Sequence, residues 1–302
     1  MPEKIRVSSM AGGGQWLKSI VWAGKAFANS GYEIETTRIG KRSNDPLERV
    51  ARGEADVAVT LSCAAGQAAK SVGIYKDGAA ASIRSLAHLV RPDQHFFNML
   101  RADLGIRSFA DLAKKKPALH VSIETTDYGP GHVTEVYLKH YGIDLMKDIP
   151  AWGGSFITSH PGTVPLVFEG KCNAIMRTDT MYGPAGIAAH LSDWVLLPLD
   201  RDIAETLERD YCTPIAEIEP DFMRGLNEDG PILTVTNTGF DLIVNASMSD
   251  DVAYGLAKAL NETNEKHWAS QDVFYSILHA PQTSGPVHPG AARYYREQGV
   301  LK

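Results

Sequence analysis

The tightest constraint on this chain is a unit that it contains twice. The first copy begins with a β-prone run, "KIRVSS", followed by the turn "MAGGG" and a helix expected from Gln15 to about Asn29. Trp16, Ile20, Ala23 and Phe27 recur at three- and four-residue spacing and so share one helix face. A second strand, "YEIETTRI", leads into "KRSNDPLERVAR", where Ser43 or Asn44 can cap a helix and Pro46 suits its first turn. Gly53 ends that helix, "ADVAVT" is a nearly unbroken apolar strand, and "LSCAAGQAAKS" opens the next helix. The second copy runs "ALHVSI", "ETTDYGPGH" and "VTEVYLKHYG", with Val133, Val136, Tyr137 and His140 as the expected inward face. "TVPLVFEGKCNAIMR" then parallels "DPLERVARGEADVAV". Val7 and Val121 lie 114 residues apart, Gly53 and Gly170 lie 117 apart. Near-equal offsets over several elements are harder to reach by chance than one match.

Strand and helix alternating in this way predict mainly parallel sheets flanked by helices, and two copies predict a two-lobed α/β protein. The apolar run from His95 to Asp103 reads as the connection between lobes, and the chain returns near "ILTVTNTGFDLIVNA". Lobe 1 is then expected over 1–100 and 240–302, with lobe 2 inserted at 101–239, and two crossings make a hinge.

In open parallel sheets ligands bind beyond the carboxyl ends of the strands, where helices begin. The first N–H groups of a helix lack intrahelical partners and its dipole leaves positive charge there, so the natural occupant is an anion. Five turns meet this description: Gly12–Gln15, Lys41–Asn44, Leu61–Cys63, Thr125–His132 and Arg177–Tyr182. Glycines at 12–14 allow close backbone approach and φ > 0 where a turn needs it. The spacing is neither G-x-G-x-x-G nor G-x-x-x-x-G-K-[ST], so a small carboxylate fits better than a nucleotide. Arg177, Lys41 and Arg42 are candidates for its charge-assisted contact. The competing readings are structural: an inter-lobe or surface ion pair for Arg177, solvated turn residues for Lys41 and Arg42, helix caps for Ser43 and Ser62, and core cover for Trp16.

Composition closes off other classes. The net charge of −6 is spread without a basic block, which argues against nucleic acid, and no apolar run reaches ~18 residues, which argues against a membrane span. No secretory leader precedes the glycine turn. Cys63, Cys172 and Cys212 form neither a CxxC pair nor a disulfide framework, and no metal or cofactor is expected.

The order of these elements resembles the TAXI family, the solute-binding proteins associated with tripartite ATP-independent periplasmic (TRAP) transporters. The resemblance rests on "GGGQW", "RSNDPLERVARGEADVAVTLS", "LRADLGIRSFADLAKKKPALHVSI" and, at the C-terminus, "PVHPGAARYYREQGVL". It implies a type II periplasmic-binding-protein fold without catalysis. Such a receptor captures a small carboxylate, dicarboxylate, acidic amino acid or aromatic acid by hinge closure and passes it to a TRAP-type permease. The family's ligand contacts, transferred by position, fall on Gly13, Gly14, Gln15, Ser43, Ser62, Thr125, Thr126, Tyr128, His132, Arg177, Thr178 and Asp179; Trp16, an aromatic at the start of the first helix, is added to the expected ligand contacts from its position alone. A monomer is expected, extracytoplasmic if a leader was removed and cytoplasmic if the sequence is complete. Departures are Lys41-Arg42-Ser43 in place of Gly-Gly-Ser, Cys63 in place of Asp, and a longer, more polar "ETTDYGPGH"; they point to a larger or more anionic acid.

The alternative is a cytoplasmic lyase or decarboxylase on the same fold. Cys63 would be its nucleophile, since a helix N-terminus depresses a thiol pKa, and His132 would face it. His288 in "HPG" reads as structural, holding the C-terminal segment.

Overall fold

The computed structural model describes residues 4–10, 14–36, 44–92, 94–191, 193–220, 222–223, 226, 230–263, 269 and 272–302. From the N-terminus run β1 (Lys4–Ser8), α1 (Gln15–Asn29), β2 (Glu33–Thr36), α2 (Asp45–Ala51), β3 (Val57–Leu61), α3 (Ser62–Lys70) and β4 (Ile83–Val90). The middle begins with β5 (His95–Arg101), α4 (Phe109–Lys115), β6 (His120–Ile123), α5 (Gly129–His140), α6 (Leu145–Ala151) and β7 (Ser155–Ile157). It continues through α7 (His160–Phe168), β8 (Ala174–Asp179), α8 (Pro184–Leu191), β9 (Trp194–Leu196), α9 (Arg201–Tyr211), β10 (Ile215–Ile218) and β11 (Ile232–Val235). β12 (Gly239–Asn245), α10 (Asp250–Glu262) and α11 (Pro289–Glu297) complete the chain. Two compact units result: Met1–Pro92 with Thr238–Lys302, and Asp93–Asn237.

The two sheets share one topology. Unit 1 has the strand order β2-β1-β3-β12-β4 and unit 2 has β7-β6-β8-β5-β9. The first three strands of each are parallel, and the fourth, β12 or β5, is antiparallel to both its neighbours. The repeat extends to register. Val7 pairs with Val57 and Val121 with Ala174, so the partners carry the sequence offsets of 114 and 117 into the sheet. Phe240 pairs with Leu61 and Phe96 with Thr178, again 117 apart on the parallel strand.

The sheets are mixed rather than wholly parallel because β5 and β12 are the first strands after the chain passes from one unit into the other. The run read as a connection, from His95, is therefore mostly strand β5. Its side chains alternate as a half-turn period requires: Phe96 and Leu100 enter one core, Phe97 and Met99 the other. In unit 1, Leu47, Val50, Ala58, Ala65, Ile83 and Ile243 form a comparable core.

Local signals explain most boundaries. α1 buries Ile20, Ala23 and Phe27, and Trp16 is half-buried at its start. α2 has Pro46 in its first turn and is followed by Gly53 at φ +72°, a conformation that favours glycine. Asn44 stands at the N-cap of α2 without capping through its side chain; its Nδ2 donates to Glu48 Oε1 at 2.9 Å and its Oδ1 accepts from Tyr75 at 2.7 Å. Beyond the first turn of α5 the buried residues are Val133, Thr134, Tyr137 and Leu138, whereas Val136 is half-buried and His140 exposed, because the helix packs along its 133/137 and 134/138 rows. His288 caps α11 by accepting from Gly290 N–H at 3.2 Å, the structural part expected of it.

Candidate functional site

In unit 2 the informative residue is Arg177. β8 is buried along its whole length, and Arg177 near its carboxyl end is 6% exposed. One terminal nitrogen, Nη1, makes only long contacts, 3.5 Å to Ser122 Oγ and 3.4 Å to the Ile123 carbonyl. Nε is buried without a partner. Its neighbour in register on β5 is Phe97, an apolar residue. Among the described residues no carboxylate lies within ion-pair distance of it. A buried charge is normally paired, because leaving it uncompensated costs several kcal/mol.

Around Arg177 the strand ends supply further polar groups. Glu124, just past β6, accepts from Thr178 Oγ1 at 2.7 Å and from Thr178 N–H at 3.4 Å. Desolvation pushes its carboxyl above the ordinary range, against the opposing pull of the Arg177 guanidinium. Ser122 and Thr163 share a hydrogen bond of 2.8 Å. Glu124 lies inside the turn singled out from the sequence but was not picked from it; two threonines and an aspartate beside it offered equally polar side chains.

The other expected contacts in unit 2 divide. The Thr125–Tyr128 turn closes through Tyr128 N–H to the Thr125 carbonyl at 3.2 Å, leaving Thr125 exposed, Thr126 half-buried and Tyr128 3% exposed at the N-cap of α5. Gly131 has no alternative here, since a Cβ would overlap the Thr125 carbonyl. Thr178 is spent on Glu124. Asp179 accepts from Thr180 N–H at 2.8 Å and Ala185 N–H at 3.0 Å, and His160 Nε2 lies 3.3 Å away, so it secures the start of α8. His132 is turned to Glu135, 3.2 Å from its carboxylate, with its ring 5.8 Å from that of Tyr211.

In unit 1, Gly13 and Ser43, together with Lys41 and Arg42, lie outside the described residues. Gly14 is exposed at the N-cap of α1 with φ −79°, so it needs no positive φ; its surroundings are open. Gln15 Oε1 and the hydroxyls of Ser8, Ser9 and Ser19 are buried without partners. Trp16 packs edge-on against Phe240 with centroids 5.3 Å apart.

Ser62 is neither a cap nor a free hydroxyl. It donates to Asp241 Oδ1 at 2.9 Å, and His88 Nδ1 lies 3.0 Å from the same oxygen. Ser85 donates to Asp241 Oδ2 at 2.8 Å. All four residues are at most 3% exposed. The sequence carries a faint sign of this network, polar residues inside apolar strands ("SLAHLV", "DLIV"), but nothing that links them. Cys63 is 1% exposed beside it, enclosed rather than presented as a nucleophile, and His132 has its own partners. The roles given to both in the enzymatic alternative find no support in this geometry.

Among the described residues, His140, Asp200 and Asp202 come close enough to share a cation, but all three are exposed, as acidic groups often are without a metal. No helix among them is long and apolar enough to cross a membrane.

The model of the NMT1-like family matches residues 28–299. Among solved structures, the periplasmic binding protein BugD aligns over 99% of this chain and 94% of its own, at 13% identity and a TM-score of 0.52. PhnD1 from Prochlorococcus marinus (MIT 9301), in complex with methylphosphonate, aligns over 100% of both chains at 12% identity and a TM-score of 0.51. At such identity the likeness concerns the fold alone.

Proposed function

This chain belongs to the NMT1-like family, and we propose that it is a solute-binding protein for a small organic anion, with Arg177 as the anchor for the ligand's negative charge. The observation that carries this reading is the guanidinium itself: enclosed, held only by long hydrogen bonds and, among the described residues, without a carboxylate at ion-pair distance. A carboxylate arriving from solution supplies the missing counter-charge in bidentate geometry. Ser122 and the Ile123 carbonyl border it with a hydroxyl and a backbone group. The fold shared with BugD and PhnD1, and the phosphonate held by PhnD1, support a binding role of this kind.

The finer reading follows the TAXI resemblance. The chain acts outside the cytoplasm, closes its two units on taking up the acid, and delivers it to a TRAP-type permease. Closure is driven by the ligand's stronger contacts in the closed state. Micromolar affinity corresponds to roughly −8 kcal/mol.

A thermal-shift screen of dicarboxylates, amino acids and aromatic acids, followed by calorimetric titration of the hits, tests the core claim. Arg177→Ala should weaken every acidic hit by at least about 30-fold, since removing one partner of a buried charge pair costs roughly 2–5 kcal/mol. If each hit binds that variant as it binds the wild type, the anchor is assigned wrongly. Turnover of any hit would instead restore an enzymatic reading.

A further inference from the structure

β6 and β8 run parallel, with Ser122 beside Ile175 and Ile123 beside Met176. One step further along that register Glu124 comes alongside Arg177, so a carboxyl and a guanidinium stand together at the strand ends. Neither is spent on the other. Glu124 accepts from the Thr178 hydroxyl with one oxygen and from the Thr178 N–H with the second, while Arg177 leans on Ser122 and the Ile123 carbonyl. The guanidinium acts on Glu124 through space, as the leading pull against desolvation. Glu124 is also half-buried, which leaves its carboxyl open to protons from solvent.

The other titratable groups at this end of the sheet have their own roles. On β8, Asp179 accepts from Thr180 and Ala185 N–H. His160 of α7 lies 3.3 Å from that same aspartate and adds a weaker pull on Glu124. Tyr137 of α5 donates to Asn98 Oδ1 at 2.6 Å, and burial holds its phenol above the ordinary range. His132 and Glu135 of α5 face each other at 3.2 Å, Asp127 is exposed in the turn itself, and β5 sets Phe97 opposite Arg177. Arg177 is thus the cation that chiefly keeps Glu124 ionisable. A carboxylate settling on Arg177 cancels that cation and brings a second negative charge to the same strand end, where two carboxylates resist being ionised together.

Resting on the reading of Arg177 as anchor, we propose that Glu124 is the proton acceptor of this site: as the ligand's carboxylate reaches Arg177, Glu124 takes one proton from solvent, so that anion and proton bind together. The sign of the pH effect follows. Affinity is highest below the midpoint at which Glu124 titrates in the ligand-free protein. Above it affinity falls by up to about tenfold per pH unit, then levels off beyond the midpoint of the complex.

Acetate is the probe, since it brings a carboxylate and little else. NMR of the full chain follows the Glu124 carboxyl carbon, identified by its loss in Glu124→Gln, from about pH 5.5 to about pH 9, where acetate stays ionised. Excess acetate should raise the Glu124 midpoint by about one pH unit or more. Arg177→Met should raise it without acetate and make it indifferent to acetate. Glu124→Gln keeps an acceptor for Thr178 and imitates the protonated site, so its acetate affinity should not change with pH and should exceed that of the wild type at the alkaline end. His160→Gln should leave the acetate-induced rise in place; losing it there would assign the proton to the histidine and overturn the proposal. Acetate that moves the Ser122 and Thr178 amide signals but not the Glu124 midpoint overturns the proposal and leaves the anchor reading standing. So does a ligand-free Glu124 that is protonated over the whole range, since it has no proton left to take up. Acetate that moves none of these signals overturns the anchor reading, and this proposal with it.

Discussion

Thr60 in unit 1 and Arg177 in unit 2 occupy the same point of the repeat, 117 residues apart on corresponding strands, yet the two units place charge there in opposite ways. Thr60 lies in register with Asp241, and Arg177 lies in register with Phe97. In unit 1 the buried charge is a carboxylate on the antiparallel strand, and two serines and a histidine converge on it. In unit 2 the buried charge is a guanidinium, its strand partner is apolar, and its contacts are long. One frame therefore carries a finished polar network in one copy and an unfinished one in the other. A satisfied buried network rigidifies a fold, whereas a buried charge left without a close counterpart costs stability, and in the reading proposed above the ligand supplies that counterpart.

The contrast predicts unequal responses to mutation. The largest effect should come from Asp241→Leu, which strands Ser62, Ser85 and His88 together. Urea unfolding should show a loss of about 3–5 kcal/mol, with Asp241→Asn in between because it keeps one acceptor oxygen. Wild-type stability in Asp241→Leu would mean that the network contributes nothing net. In the opposite direction, Arg177→Met should stabilise the ligand-free protein by about 1–4 kcal/mol, since it removes a charge that the fold alone does not compensate. A destabilised Arg177→Met would make the arginine a structural member of unit 2 and cancel the contrast.

A control within unit 1 comes next. His288→Leu, which deletes the α11 cap, should cost about 1 kcal/mol, and His288→Asn should retain most of it. Burial lowers the His288 pKa below 6.5, so the folded state prefers the neutral ring. Its contribution is complete above that pH and fades as pH falls through the depressed value; His288→Asn should lack this acid loss in melting curves.

The smallest effect concerns Glu124. Its pKa is raised above 4.5, chiefly by desolvation, so between the ordinary and the raised value the folded protein holds a proton that the unfolded chain has released. Stability must then fall as pH rises through that window. Glu124→Gln cannot ionise and should gain on the wild type as pH climbs from 4.5 toward neutrality, read as a widening difference in Tm. Parallel melting curves would show that the carboxyl is not enclosed as described.

Much of this architecture could be read from residue order. The bounds expected for α1, the apolar run of β3 and the equal offsets between copies all reappear, the last as sheet register. These are local or repeated signals: a helix face recurs every three or four residues, and a buried strand is apolar throughout. Arg177 also stood out, as a cation closing an apolar strand.

Pairing was another matter. β5 looked like a connection because an isolated apolar run does not say which strands will flank it or in which direction. Ser62, Ser85, His88 and Asp241 come from segments as much as 179 residues apart, and each alone is an ordinary polar residue within or beside a strand. Only packing decides whether a buried carboxylate finds three close neighbours or a buried guanidinium finds only long contacts. Periodicity is a property of neighbours along the chain, so it survives in a one-dimensional record; charge compensation depends on distances between remote segments, and those exist only after folding.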